Sequence, residues 1–340
     1  MLLEGLQLPL TTPFYADGRL NLLKLEHNVA RYSKTPIAGM VALGDSGEPT
    51  MLSDEETRQA LRGVGAAAAA EKVLMAGVSR DSVAGTLELA EFAASAGYDA
   101  VLVKAPSLFR VGASARALLT YFQAVADRSA LPVVLQSAAS LPMEMVMELA
   151  GHPQILGLVD EIGGERRIEA LRAGTAEVKR DVIVTAVFAA VTARMQARNE
   201  GLISADTLTG GGAAVAPSKV AARTRTKQVG FQILVGSTAG MLEGLRAGAA
   251  GAMPAFAASA PQACYEVLAA WKDGDEGLAQ EKQIRLQDAA ERVEQALGVA
   301  GVKFGCDLNG YFGGGPRLPL LPLTGEERTE VEELMQGLRN

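Results

Sequence analysis

"ILGLVDEIGG" (residues 155–164) is an apolar run that stops abruptly in charge. Ile155, Leu156, Leu158 and Val159 are core residues in type, and Asp160, Glu161 and two glycines follow at once. Continuous rather than alternating hydrophobicity, ended by glycine, describes a parallel strand covered on both faces. The tips of such strands carry the chemistry in barrel enzymes. Asp160 and Glu161 are therefore the first candidates for catalysis. Adjacent residues on a strand point opposite ways, so at most one of them faces a site.

Seven further runs repeat the pattern: "LQLPL" (6–10), "GMVALG" (39–44), "VLMAGVS" (73–79), "AVLVKAP" (100–106), "PVVLQS" (132–137), "FQILVGS" (231–237) and "AAGAMPAF" (249–256). Amphipathic segments lie between them. One opens on Ser53 with Glu56 three residues later, a capping-box pattern. Another runs from Asp81 to a C-terminal stop at Gly97. Eight strands alternating with helices predict an α/β chain of the (β/α)8 TIM-barrel class, for which about 250 residues is usual. The 340 residues leave two additions to place. The reading is a barrel over 1–260, an insertion at 176–229 between helix six and strand seven, and a C-terminal helical extension over 261–340. Within the insertion, 182–195 is apolar nearly all round as a helix, through Val182, Ile183, Val187, Phe188, Val191 and Met195. A lone barrel has its core already filled. A neighbouring subunit is the expected cover, which predicts a homo-oligomer with the insertion on the face opposite the active site.

The bulk numbers restrict function. The net charge is −7, which argues against a general affinity for nucleic acid or anionic membrane. Two cysteines and two histidines make neither a disulfide framework nor a zinc site. The opening "MLLEGLQLPLTTPF" lacks the basic region of a signal peptide, and the 182–193 run is too short to span a bilayer. A cytoplasmic protein with no resident cofactor is expected.

Several stretches together resemble the dihydrodipicolinate synthase / N-acetylneuraminate lyase family. "TTPFYADGRLN" (11–21) resembles its opening Thr-Pro-Phe and Asp/Gly turn. "GDSGEPTMLSDEE" (44–56) resembles its Gly-Thr-Thr-Gly-Glu loop and the helix start after it. "GYDAVLVKAPSLF" (97–109), "LRAGAAGAMPAF" (245–256) and "GVKFGCDLNGYFGGGPRLPLLPL" (301–323) resemble its fourth strand, eighth strand and closing Lys, Gly and Arg-x-Pro-Leu pattern. The resemblance implies a TIM barrel acting on a 2-oxo acid. A lysine at the tip of strand six forms a Schiff base that serves as an electron sink.

The chain departs from that pattern at the site. The family's lysine corresponds to Val159, and its proton-relaying tyrosine on strand five to Gln136, an amide with no useful pKa. The carboxylate-binding arginine falls on Leu141, and the tyrosines after strand four on Ser107 and Leu108. Asp45 replaces the first threonine of the loop, while Ser46, Gly47 and Glu48 remain. The resemblance thus implies a family scaffold with an altered site and no dihydrodipicolinate synthase activity.

The remaining candidates each have two readings. Lys104, at the tip of strand four, is a displaced Schiff-base lysine or an outward rim cation. Asp45, Asp81, Asp160 and Glu161 are an acid/base or metal set if they converge, and solvated loop carboxylates if they do not. Asp45, Ser46, Gly47, Gln136 and Ser137 are the candidates for substrate binding, the Ser46 loop for a carboxylate, or else turn and core residues. The basic stretch "KVAARTRTKQ" (219–228) reads as a solvated loop. Two functions follow: an aldolase or lyase acting on a 2-oxo acid or related small carboxylate, or a non-catalytic metabolite-binding barrel.

Overall fold

A computed structural model describes residues 1–107, 114–137, 141–198 and 224–338. Eight parallel strands close into a barrel. They are β1 (Gly5–Pro9), β2 (Gly39–Ala42), β3 (Val73–Gly77), β4 (Ala100–Lys104), β5 (Val133–Ser137), β6 (Ile155–Asp160), β9 (Gln232–Val235) and β10 (Gly251–Ala252), with β10 pairing back to β1. All eight apolar runs in the sequence supply a barrel strand. The helices between them are α1 (Leu22–Tyr32), α2 (Asp54–Ala67), α3 (Val83–Ser95), α4 (Ala115–Ala126), α5 (Met143–Ala150), α6 (Glu165–Gly174) and α8 (Met241–Arg246). The Ser53–Glu56 capping box closes reciprocally at the start of α2. Helix α3 is capped by Ser82, one residue after the expected Asp81.

Alternate strand residues divide between two cores. Val41, Met75, Leu102, Val134, Val159 and Leu234 fill the barrel interior, while Leu8, Met40, Leu74, Val103, Leu135 and Leu158 pack against the helices. Both layers are apolar, which is why the strands read as unbroken runs.

The helix at Pro261–Lys272 (α9), read from the sequence as part of the extension, packs on β1 and α8 and is the eighth helix of the barrel. The extension consists of α10 (Glu276–Ala290), a π-helical turn at Glu291–Ala296, α11 (Gly298–Leu308) and α12 (Gly325–Met335). Its connecting segment returns to the β1 and β2 loops. Arg317 donates to the Gly18 and Met51 carbonyls and pairs with Glu56, its guanidinium 4.2 Å from the centre of the Phe14 ring. The Arg317 hydrogen bonds hold Glu56 at a pKa of about 2.

The insertion corrects one expectation. Residues expected as a helix over 182–195 form a strand, β7 (Arg180–Thr185), paired antiparallel with β8 (Thr224–Val229), and only a short helix, α7 (Ala193–Arg198), follows. The β-branched run Val182–Thr185 prefers the pleated state, and its period is two. Val182 and Val184 are buried with Leu2 and Val229, while Ile183 is exposed. Half of the apolar face expected to meet another subunit is therefore covered by the chain itself. Arg180 donates to the Ala150 and His152 carbonyls, and Arg194 to Gly97. Those acceptors precede β6 and β4, so the hairpin sits on the N-terminal face and its arginines lie away from the mouth. Leu108 and residues 199–223, which include most of the Gly/Ala/basic half of the insertion, fall outside the described residues. Among the described residues, no helix is long and apolar enough to cross a membrane.

Candidate active site

Register sets the floor of the mouth. Lys104 of β4 lies beside Gln136 of β5, and Gln136 beside Val159 of β6. All three belong to the inward set. Val159 is fully buried among the interior apolar side chains. Two residues above it on the same side stands Glu161.

Four of the candidates meet here. Lys104 Nζ forms an ion pair with Asp45 Oδ1. Gln136 Nε2 donates to Asp45 Oδ2 at 3.1 Å and to Glu161 Oε1 at 2.5 Å. One amide thus bridges two carboxylates, and a single ammonium faces them. Glu161 lies deep among protein atoms yet reaches solvent through the mouth. Burial pushes its carboxyl above the usual range, with the Asp45 charge adding to the rise and the Gln136 hydrogen bond opposing it.

This arrangement has a consequence for pH. A carboxyl raised in the fold favours the folded state below its unfolded pKa and loses that advantage as pH rises through the folded value. Glu161→Gln keeps an oxygen for Gln136 and removes the charge. The variant is expected to unfold at a higher temperature than the parent at pH 8 and at the same temperature near pH 4. Thermal scans across that range check it, and a gain confined to acid pH would contradict it.

Two of the other candidates lie elsewhere. Asp160 and Ser137 form the next register pair and point outward, toward the helices. Asp160 is fully buried, accepting from Arg167 Nε at 2.8 Å, Ser137 Oγ at 2.9 Å and the Gly163 amide at 3.0 Å. The structure therefore does not bring Asp160 or Ser137 into the mouth, because strand alternation turns them to the other face. Asp81 does border the mouth cavity, engaged there by Ser107, whose amide and hydroxyl both donate to it. No three of the described Asp, Glu, His and Cys side chains are grouped to hold a metal ion.

The loop carrying Asp45, Ser46 and Gly47 is held under strain. Leu43 and Glu48, neither a glycine, have φ of 58° and 53°. Gly77 permits this, since a Cβ there would stand 2.0 Å from the Leu43 carbonyl oxygen. Thr12 Oγ1 donates to the Gly47 carbonyl at 2.7 Å. Behind the loop, Glu48 is fully buried against Lys303 of α11. Lys303 Nζ donates to Glu48 Oε1 at 2.7 Å and to the Thr12 and Gly315 carbonyls at 2.8 Å each.

A cavity of about 210 Å3 opens above this floor, lined among others by Asp45, Ser79, Arg80, Lys104 and Gln136. Arg80 was not among the sequence candidates. Its position just past the third apolar run was the available signal. Its Nη2 lies 3.8 Å from Asp54 Oδ1, and Nη1 donates to the Ser79 carbonyl. It puts a second cation in the mouth.

The comparisons agree with this architecture. The model of the dihydrodipicolinate synthetase family matches residues 2–211 and 213–338. A 4-hydroxy-tetrahydrodipicolinate synthase from Methanothrix thermoacetophila is 27% identical over 324 residues, 95% of this chain and 93% of the relative. An L-threo-3-deoxy-hexylosonate aldolase from Hypocrea jecorina is 25% identical over 349 residues, 98% of this chain and 95% of that one. Among solved structures, a prophage protein of the dihydrodipicolinic acid synthase family from E. coli, in complex with pyruvate, superposes with a TM-score of 0.76. It is 22% identical and covered to 99% on both chains, a level that speaks to the fold alone. With nearly its whole length matched by the family model and the closed barrel that goes with it, the chain belongs to the dihydrodipicolinate synthetase family.

Proposed function

We propose that the protein is an aldolase or lyase of this family that acts on a 2-oxo acid, with its Schiff-base amine supplied by Lys104 from strand four. The observation that carries the reading is the convergence of Lys104, Asp45, Gln136 and Glu161 in the barrel mouth. Val159 takes the family's lysine position and cannot supply a nucleophile.

The groups suffice for the chemistry. Asp45 takes a proton from Lys104, and the free amine adds to the C2 carbonyl. Glu161, as the acid, protonates the carbinolamine hydroxyl, which leaves as water and yields the iminium. The Glu161 carboxylate so formed takes the proton from a C4 hydroxyl. The C3–C4 bond breaks, and its electron pair flows into the iminium to give an enamine. Protonation at C3 and hydrolysis return the shorter 2-oxo acid and the amine. Arg80, which lines the mouth cavity, is the group available to hold the substrate carboxylate, whereas the Gly47 amide is already committed to the Gly44 carbonyl at 2.8 Å. A small-molecule carboxylate is thus the partner, in a protein that takes neither nucleic acid nor membrane, and a homo-oligomer remains the expected assembly.

This reading excludes the family's title reaction, because that condensation relies on the lysine, tyrosine and arginine replaced here by Val159, Gln136 and Leu141. Purified protein given pyruvate and aspartate semialdehyde is expected to form no product, while 2-oxo-3-deoxy sugar acids are cleaved to pyruvate. Robust condensation would overturn the altered-site reading. A second reading, a barrel that binds a metabolite without reacting, draws on the mutual satisfaction of the four mouth groups. It predicts binding of 2-oxo acids with no cleavage of any of them.

A further inference from the structure

The larger described cavity is at the opposite end of the barrel. Its volume is about 610 Å3, against about 210 Å3 at the mouth, and it falls in the range common for small-molecule sites. It lies between the loops that enter β9 and β10, the C-terminal ends of α6 and α9, and strand β8 of the inserted hairpin. The insertion therefore builds one of its walls. Strand β8 pairs with β7 on one side, and its other side borders the cavity through Lys227, Gln228 and Val229.

The lining is chemically uneven. Arg172, Lys227 and Lys272 contribute three positive charges and Glu4 one negative. Glu4 is paired with Lys227. Arg172 and Lys272 have no ion-pair partner among the described residues, so the cavity holds two uncompensated cations in a chain whose net charge is −7. Arg172 is also seated. It donates to the Ala247 carbonyl at 3.3 Å, and Gly248, at φ +91°, leaves the room it needs. A Cβ at Gly248 would stand 2.0 Å from Arg172 Nη1. Beside the cations is Trp271, the one tryptophan of the sequence, partly buried and partly open to the cavity. A partly buried indole that shares the cavity lining with a seated guanidinium and an unpaired ammonium gives the cavity both an apolar wall and positive charge.

We infer that this cavity is a second ligand site, separate from the mouth, for a small anion with an aromatic or apolar body. Arg172 and Lys272 take its carboxylate, phosphate or sulfonate, and the body lies against Trp271. Carboxylate and phosphate ligands share this chemistry, and the bidentate guanidinium suits both.

The lone tryptophan makes the site directly readable. The probes are 8-anilinonaphthalene-1-sulfonate and its uncharged counterpart N-phenyl-1-naphthylamine, each titrated into the full-length protein while Trp271 emission is followed. The sulfonate is expected to quench Trp271 saturably with one site, and the neutral probe to bind at least tenfold more weakly. Lys272→Glu is expected to weaken the sulfonate at least tenfold, and Arg172→Gln to do the same. Lys104→Met should leave the titration unchanged. Lys272 is an exposed helix-end residue, so its variant decides the matter even if Arg172→Gln fails to fold. The proposal is overturned if Trp271 is not quenched, if Lys272→Glu binds the sulfonate as the parent does, or if both probes bind equally.

Discussion

Lys303→Met is expected to destabilise the protein by about 3–5 kcal/mol, the usual cost of breaking a buried ion pair by removing one partner. The Lys303 and Glu48 side chains have no exposed surface. Methionine fills much of the lysine's volume, so little of the loss comes from a cavity. The loss comes from Glu48, left as a buried carboxylate with one remaining donor, the Arg317 amide at 2.8 Å. The Thr12 and Gly315 carbonyls lose their partner as well, at roughly 1–3 kcal/mol for each group left unsatisfied, not strictly additive. Burial already presses the Lys303 pKa downward, and Glu48 opposes that pressure. Lys303→Met combined with Glu48→Gln removes both charges and should recover part of the loss. Urea unfolding of the three proteins measures this. A loss below about 1 kcal/mol, the usual ceiling for a surface pair, would show that the pair contributes no more than an exposed one. Because Glu48 directly follows Asp45, Ser46 and Gly47, the single variant should also bind 2-oxo acids more weakly.

Lys104→Met is expected to abolish exchange of the pyruvate methyl protons with solvent deuterium. An enamine forms and re-protonates at C3 whenever pyruvate enters as a Schiff base, so exchange reports the amine without a known second substrate. The decrease should be roughly 10³-fold or more, the scale on which enzymes lose turnover when a nucleophile is removed. Lys104 is the lysine among the described residues that line the mouth. Gln136→Ala keeps the amine but frees the two carboxylates it bridges. It should slow exchange by about 10²-fold, within the span of a misplaced acid/base group. Proton NMR in deuterium oxide reads both variants. Exchange that survives Lys104→Met would move the amine elsewhere.

The barrel was legible because its strands are buried on both faces. Runs such as "AVLVKAP" and "PVVLQS" need no partner to be recognised, and Ser53 with Glu56 marked a helix start that the structure closes as expected. The mouth was legible in part. Lys104, Asp45, Gln136 and Glu161 converge because each stands at or just past a strand end on the inward side. The choice between Asp160 and Glu161 needed the strand register and the outward ion pair with Arg167, which no local pattern contains. Lys303 and Glu48 are separated by 255 positions, so their contact belongs to the closure of the chain rather than to any segment of it. The 182–195 error has a local cause. Its all-round apolar run satisfies a buried helix and a half-buried strand alike, and the partner strand that settles it begins only at Thr224.

The central claim is that the amine of this site is Lys104. Reducing the protein with borohydride in the presence of pyruvate, then digesting it and mapping the peptides by mass, tests that claim most directly. The account predicts one reduced pyruvyl group per chain, on the peptide containing Lys104, and none on Lys104→Met. A group on another lysine, or a protein that binds pyruvate and is never labelled, would contradict it.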